Sequence, residues 1–337
     1  MTIVDIHSHL YPGWFIDRFR DREQVPRVVP DDDRDRFLLF ETEGGKASGP
    51  LLTEDYTTIG AKLDFMDRHG IDCSIVSLGN PWFEFFDQDE SLALARDANS
   101  RLSNLVEETS GRIVGMGALP RTDSESVVSV VEEVAADPGL RGVISATTIG
   151  GLFLDDLRLD PVWEALASAQ VPLLLHPLMA QVPEELSGYG IALSAGVGFP
   201  FRTTIALARL LLGGVLERHP QLRLVAAHGG GALPFLIGRL EGTNVVDPQR
   251  TELQAAATHL LLDAALYDPA AVRLAADLVG SDRLLFGTDH PFPNADVPRI
   301  RRAVVDALAT SEAEVVLGGA AAQWYRLGPG EAAHPPR

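Results

Sequence analysis

Eight short apolar segments recur along the 337 residues and alternate with stretches of helical periodicity. Their hydrophobicity is continuous rather than alternating, which is typical of parallel strands buried on both faces. Eight such units favour a closed (β/α)8 TIM barrel, because an open doubly wound sheet usually has fewer strands. We therefore predict an α/β fold with a single domain over residues 1–327. The predicted strands are 3–9, 73–78, 112–119, 140–146, 171–176, 222–228, 259–263 and 283–289.

The segments between these strands predict the helices, an insertion and a tail. Residues 11–53 show no clear periodicity, so we predict a long irregular insertion after strand 1. The tail 328–337, rich in Pro, Gly and Ala, is predicted to be disordered. Asp160 followed by Pro161 predicts a helix with Asp160 as its N-cap. The other predicted helices are 56–69, 87–109, 124–136, 200–218 and 269–279.

One predicted helix has an unusual composition. The stretch 205–212 is apolar on nearly every side, whereas a helix on the outside of a barrel should have one solvated face. It is therefore a candidate subunit interface, and a covering loop is the alternative explanation.

Charge and cysteine content restrict the class of partner and the compartment. The 28 basic residues are outnumbered by 47 acidic ones, which argues against nucleic acid or an anionic membrane as a partner. An anionic substrate is still compatible, because a bound metal can hold it. Cys73 is the single cysteine, so no intramolecular disulfide can form. With no signal-like amino terminus and no run of 18 apolar residues, we expect a cytoplasmic protein.

Five polar side chains stand at the carboxyl ends of four of the predicted strand segments. His7 and His9 end the first strand and point to the same side, because strand side chains alternate. His176, His228 and Asp289 end the fifth, sixth and eighth strands. An isolated H-x-H pair is more often an ordinary surface feature. In a barrel, however, these ends share the face that carries active sites, so the five groups together predict a metal site.

The types of donor indicate which metal such a site would hold. Three or more imidazoles with a carboxylate suit Zn²⁺, and Mn²⁺, Fe²⁺ or Co²⁺ are alternatives. A catalytic metal keeps one position open for water or substrate. Five donor groups exceed that need, so one of them is predicted to transfer protons. We expect one divalent metal and no organic cofactor.

The motifs VDIHSHLYP, LLLHP, AAHGGGALPFLIGR and LLFGTDHPFP occur in this order. Together they resemble the amidohydrolase superfamily (amidohydrolase 2), and within it the aminocarboxymuconate-semialdehyde decarboxylase family and related benzoate-type decarboxylases. The resemblance implies that His7, His9, His176 and Asp289 bind a single metal, usually zinc. It also implies that His228 is the general acid/base, and Asp289 could shuttle a proton as well.

The number of metals follows from the lysines. Members of the superfamily with two metals usually carry a bridging carboxylated lysine on strand four. The two lysines of this chain, Lys46 and Lys62, both precede the second predicted strand. A mononuclear centre is therefore favoured.

The same resemblance suggests a substrate-binding arginine. Arg239 lies eleven residues after His228, where an arginine of the decarboxylase reaches across a dimer interface to the substrate carboxylate. This implies a homodimer that acts on a small carboxylate substrate; a solvated helix charge is the alternative. Phe292, Met179 and Trp14 lie near strand ends and are candidates for an apolar substrate pocket, with core packing as the alternative.

Two departures from the family pattern affect the substrate. The decarboxylase has a second substrate-binding arginine in its first loop, where this chain has Lys46, Ala47 and Ser48, so the same dicarboxylate is in doubt. His290 follows the metal aspartate, where the family more often has an aromatic residue, and either proton relay or packing would explain it. Asp263, which ends strand seven, is predicted to hold a ligand histidine or to cap a helix.

The leading hypothesis is a carbon–carbon lyase: metal-dependent, non-oxidative decarboxylation of an aromatic or unsaturated carboxylic acid. The alternative is a hydrolase that opens a lactone or amide, since nearly the same residues serve both reactions. A barrel retained only for binding is the third possibility, and it is disfavoured because every expected ligand is present in the sequence.

Overall fold

Eight parallel strands form a single sheet in which strands that are consecutive in the barrel sequence are also neighbours in space. The computed structural model describes residues 2–42, 46–178, 183–187, 189, 191–244 and 252–328. The predicted (β/α)8 barrel is confirmed. The barrel strands are β1 (Val4–Leu10), β2 (Cys73–Leu78), β3 (Ile113–Ala118), β4 (Leu140–Ser145), β5 (Leu173–Leu175), β6 (Leu224–Ala226), β7 (Leu261–Asp263) and β8 (Leu284–Leu285).

Helices surround the strands and also form the connections near the site. Those before β5 are α1 (Gly13–Ile16), α2 (Glu54–Thr57), α3 (Ile59–His69), α4 (Gln88–Glu107), α5 (Ser124–Ala136) and α6 (Asp160–Ala169). Those after β5 are α7 (Ile191–Leu193), α8 (Phe199–Leu212), α9 (Val215–Arg218), α10 (Leu233–Thr243), α11 (Leu253–Ala257), α12 (Pro269–Val279), α13 (Val297–Ala307), α14 (Thr310–Glu314) and α15 (Ala320–Trp324).

The barrel closes between its last and first strands, through backbone outside the short β8. The amide of Asp289 donates to the His7 carbonyl at 2.8 Å, and the amide of His9 donates to the His290 carbonyl at 2.7 Å. We call this pairing of β1 with residues 286–290 the seam. A register shift of β1 against β2 lies between Asp5 and Ser8, beside the seam. Bulges of this kind re-aim side chains near functional sites.

The helix predictions were correct in position but not in every end. The bounds 124–136 and 269–279 are confirmed by α5 and α12. The predicted helix 200–218 was wrong as one element, because it breaks at Gly213 and Gly214, the latter with a φ of 68°. Asp160 is the first helical residue of α6 and not its N-cap, which is Leu159.

The prediction of an irregular insertion over 11–53 was wrong in part. An insertion follows β1, but it contains two small antiparallel sheets. Asp32, with a φ of 52°, lies in the tight turn that joins the first two of these strands. Phe37 packs edge-on against Tyr11 at 5.6 Å between ring centroids, which fixes the insertion to the end of β1. The insertion strands are Arg27–Asp31, Arg34–Leu38 and Leu51–Leu52 in one sheet, and Phe40–Thr42 and Lys46–Ser48 in the other.

Of the predicted tail 328–337, residues 329–337 lie outside the described residues, so its disorder stays a prediction. Within the described part of the chain, one helical stretch, Ile191–Leu212, is long and apolar enough to cross a membrane by length and composition alone. Its α8 section buries Thr203, Leu207 and Leu210 against the barrel. That packing is the ordinary role of a barrel helix, and it leaves the opposite apolar side exposed.

Candidate active site and metal centre

The structure brings all five predicted polar groups together at the carboxyl ends of the strands. Ligand atoms of His7, His176, His228 and Asp289 lie within 4.8 Å of one another. His9 joins them, because its Nε2 is 3.1 Å from Nε2 of His7 and 3.4 Å from Oδ1 of Asp289. Five donors therefore surround one small volume, and distance alone does not decide which four bind a metal.

Hydrogen bonds to the outer ring nitrogens separate three of the histidines from the fourth. In each of these three, Nδ1 is held by an oxygen atom, so Nε2 is directed toward the centre. Such outer contacts fix the tautomer and orientation of histidines that bind metals. The three pairs are His7 with Asp263 Oδ2 at 2.6 Å, His9 with Ser77 Oγ at 2.9 Å, and His176 with the Pro177 carbonyl at 3.0 Å.

Polar atoms at the centre lack the partners that buried groups normally have. His176 Nε2 and Asp289 Oδ1 are buried, but neither atom has a hydrogen-bond partner among the described residues. Nε2 of His7 and Nε2 of His9 face each other. Unpaired buried polar atoms are uncommon in folded proteins and each needs an explanation. A divalent cation among these nitrogen and oxygen donors would satisfy all of them, so the donor set fits one metal.

His228 differs from the other three histidines. Its Nδ1 has no hydrogen-bond partner among the described residues, and its side chain is 14% exposed, whereas those of His7 and His9 are fully buried. Its Nε2 lies 3.5 Å from Oδ2 of Asp289. An imidazole that is reachable and is not held at its outer nitrogen is suited to proton transfer.

Unusual backbone conformations place two of these residues. His228 and Asp289 have φ values of 56° and 59°, a region that side-chain-bearing residues seldom adopt. Such outliers concentrate at functional sites. Gly231, with a φ of 66°, passes so close to α8 that a Cβ atom would lie 2.1 Å from a backbone carbonyl. Gly287 similarly allows the seam to pass His7, since a Cβ there would lie 2.8 Å from that of His7.

The charges at the centre favour a cation. Burial raises the pKa of Asp289, but His7, His228 and His9 outweigh it and hold the pKa well below its usual range. Burial lowers the pKa of His9 to about 4 and that of His176 well below its ordinary value. Burial also lowers the pKa of His7, but Asp289 and Asp263 raise it overall to about 9. An ionised carboxylate therefore stands beside two neutral imidazoles near neutral pH, and a metal would displace a proton from His7.

Aromatic rings line the space next to the centre. The predicted pocket residue Phe292 has its ring centroid 5.6 Å from that of His9, and Tyr56 lies 6.0 Å from Phe292. The Trp82 ring is 5.6 Å from His176 on the other side. Sequence reasoning missed Trp82 and Tyr56, although Trp82 follows the end of β2, a position that the strand-end argument could have included.

Two polar residues that orient the centre were also missed. Ser77, near the end of β2, accepts the hydrogen bond from His9, so the strand-end argument applied to it as well. Asn294 donates to Oδ2 of Asp289 at 2.9 Å, and this turns Oδ1 toward the histidines. No sequence signal marked Asn294, because its contact depends on the turn after Asp289.

Of the other predicted substrate-binding residues, Arg239 and Trp14 make no contact with this cluster within the described part of the chain. Arg239 is exposed on α10, and its side chain pairs with no other described residue. Trp14 packs against Phe15, and its ring lies 5.7 Å from the guanidinium of Arg101. Met179 lies outside the described residues. Their roles remain predictions.

Comparison with known proteins agrees with this arrangement. The family model described as Amidohydrolase matches residues 4–327, so the chain belongs to that family. It is 28% identical over 280 residues to a 2-amino-3-carboxymuconate-6-semialdehyde decarboxylase of Dictyostelium discoideum, covering 80% of this chain and 76% of that protein. It is 27% identical to a gamma-resorcylate decarboxylase of Rhizobium over 263 residues, covering 70% and 77% respectively. The apo crystal structure of Metarhizium anisopliae IDCase superposes with a TM-score of 0.88 at 34% identity, covering 97% of each chain.

The contact between Asp263 and His7 gives a test of the metal centre. Asp263→Asn is expected to weaken metal binding by about 10–100-fold, because a neutral amide accepts the Nδ1–H of His7 more weakly than a carboxylate and can instead donate to Nδ1, which leaves the proton on Nε2. Competition with a chromophoric chelator measures the affinity. Asp268→Asn, at the exposed N-cap of α12, is the matched control and should bind metal like the parent. Equal affinities for the two variants would contradict the role of Asp263.

Proposed function

We propose that this protein is a metal-dependent, non-oxidative decarboxylase that acts on an aromatic or unsaturated carboxylic acid. The observation that carries the proposal is the convergence of three oriented imidazoles and one unpaired carboxylate oxygen, with His228 left over beside them. The decarboxylases among its relatives support this reaction over hydrolysis by the same residues.

We assign the metal to His7, His9, His176 and Asp289, because the three histidines are the ones whose Nδ1 atoms are held from outside. Zn²⁺ is the proposed ion, since imidazoles dominate the donor set, and Mn²⁺ is the alternative. When bound, the metal supplies positive charge that holds the substrate carboxylate or the oxygen beside it.

His228 is the proposed proton donor, with Asp289 as its partner. When the bond from the carboxylate carbon to the substrate breaks, its electron pair stays on the substrate carbon. His228 delivers a proton to that carbon, so a new C–H bond forms and CO2 leaves without a free carbanion. Oδ2 of Asp289, 3.5 Å from His228 Nε2, stabilises the imidazolium before transfer.

The rings beside the centre suit a flat, apolar substrate body. Phe292 lies beside His9, Trp82 lies beside His176, and Tyr56 packs against Phe292. Aromatic walls bind conjugated systems by stacking and exclude water from the reacting carbon. We propose that Phe292 contacts the substrate directly.

We also propose that the enzyme is a cytoplasmic homodimer. α8 and α10 pack against each other, and their outer sides expose Phe201, Ile205 and Phe235 at 48%, 56% and 77%. Contiguous exposed apolar side chains are unusual on a monomer. Arg239 lies one turn after Phe235 on α10. Its guanidinium would therefore extend toward a partner chain bound against these helices.

The reaction itself is tested by CO2 release. Purified protein should contain about one divalent transition metal per chain and release CO2 from aromatic or unsaturated carboxylic acids. A chelator should abolish this release, and added Zn²⁺ or Mn²⁺ should restore it. Lactone or amide hydrolysis without CO2 release, or release that is insensitive to the chelator, would contradict the proposal.

His228→Ala separates proton transfer from metal binding. The variant should keep its metal while kcat falls by about 10²–10⁴-fold, because only the proton donor is lost. Metal content and CO2 release are measured on the same sample. His259→Ala, on an exposed loop, should behave like the parent. Full activity of metal-loaded His228→Ala would show that another group donates the proton.

The role of Arg239 is tested by mixing two impaired chains. Arg239→Ala should raise KM for the substrate, whereas Arg302→Ala, an exposed arginine on α13, should not. Arg239→Ala and His228→Ala chains are mixed in equal amounts, unfolded and refolded together. If Arg239 acts across the dimer, about a quarter of the sites become intact, because half of the dimers are mixed and each mixed dimer has one intact site. If sedimentation shows a dimer but the refolded mixture recovers no activity, Arg239 does not act in the partner's site.

A further inference from the structure

A fully buried lysine lies directly behind the candidate metal centre. Lys62 is on α3, and its ammonium donates a hydrogen bond to Ser8 Oγ at 2.6 Å. It also contacts Nδ1 of His290 and lies 3.4 Å from the His290 carbonyl oxygen. We call these three residues, Lys62, Ser8 and His290, the lysine cluster.

The lysine cluster joins the two segments that carry the metal donors. Ser8 stands between His7 and His9 in β1, and His290 directly follows Asp289 in the seam. The hydroxyl of Ser8 also lies 3.3 Å from the His290 carbonyl. One ammonium group therefore contacts both sides of the seam at the level of the donors, without contacting the donors themselves.

The surroundings of Lys62 are arranged for a cation. Asp5 is fully buried nearby, and it accepts hydrogen bonds from the hydroxyl and the amide of Thr288 at 2.7 and 3.0 Å. Burial lowers the pKa of Lys62, and the negative charge of Asp5 opposes this. The ammonium of Lys62 donates to Nδ1 of His290, which is the acceptor that a buried cation needs. Phe65 stacks on that ring at 3.6 Å between centroids.

Stability alone does not account for this arrangement. Burying an ammonium removes its hydration, and an apolar side chain of similar length would fill the space without that cost. The contacts of Lys62 instead fix two backbone segments that the short β8 leaves weakly paired. Residues behind metal ligands commonly set the orientation of those ligands.

We propose that Lys62 is a positioning residue, which sets the spacing between the His7–His9 pair and Asp289 and thereby the coordination geometry of the metal. The inference rests on the metal centre of the proposed function, but not on the reaction or the substrate. It assigns the ammonium a role different from that of the bridging carboxylated lysine of two-metal centres, because Lys62 faces the outer side of the seam.

The test compares Lys62→Met with the parent and with Met66→Ala. Met66 is on the same helix and is fully buried, but its thioether offers no hydrogen-bond donor. Co²⁺ is the probe, because its visible absorption bands report coordination geometry, and chelator competition gives its affinity. Lys62→Met should bind Co²⁺ at least about tenfold more weakly and shift the bands. Its Tm should fall, because the buried Asp5, Ser8 and His290 lose their partner, so the comparison with the destabilised Met66→Ala separates stability from coordination. Met66→Ala should lower the Tm and leave affinity and bands unchanged.

A second pair of variants covers the case in which Lys62→Met does not fold. His290→Asn keeps an acceptor close to the position of Nδ1, whereas His290→Leu removes it, and both lose the ring that stacks on Phe65. The proposal expects parent-like Co²⁺ bands for His290→Asn and altered bands for His290→Leu.

Unchanged affinity and bands in folded Lys62→Met would overturn the proposal, as would identical behaviour of the two His290 variants. A parent protein that binds no Co²⁺ would contradict the metal centre itself. The role of Lys62 and the metal centre are therefore contradicted by different results. CO2 release enters neither measurement, so an error in the proposed reaction would leave this test intact.

Discussion

The seam between β1 and residues 286–290 is the pairing on which the site depends. Its backbone hydrogen bonds, from Asp289 to the His7 carbonyl and from His9 to the His290 carbonyl, close the barrel and also align the donors. The same few peptide groups thus perform a structural and a functional task. Because β8 itself has two residues, the barrel is closed at the carboxyl end by these bonds, and the lysine cluster lies beside them.

Much of this could be predicted from the sequence because the barrel obeys strict rules. Continuous apolar segments such as Cys73–Leu78 are recognisable without their neighbours, and parallel strands place their carboxyl ends on one face. His176, His228 and Asp289 follow three such segments. Their convergence was therefore predictable without any knowledge of distances.

The rest could not be predicted, for reasons that differ from residue to residue. Asn294 reaches Asp289 through a turn whose course depends on packing, and Trp82 approaches His176 with a left-handed backbone. The insertion was predicted as irregular because its strands are short, and Arg27–Asp31 and Arg34–Leu38 are only partly buried. In the sequence, Lys62 indicates only that no bridging lysine lies on strand four. That it is buried could not be predicted, because helical periodicity does not show which lysines are buried. The role proposed for Arg239 depends on a partner chain, which one sequence does not reveal.

The two sides of the seam lie far apart in the sequence, and this distance affects the order of folding and metal binding. Ser8 and His290 are 282 positions apart, so their contact is among the last that a growing chain can make. Contacts between distant segments also form late in folding, because the intervening chain must first be ordered. A partly synthesised or partly folded chain would present His7 and His9 without Asp289, and so would hold a metal only weakly. Firm metal retention would then mark barrels that have closed, and folding would precede metal loading.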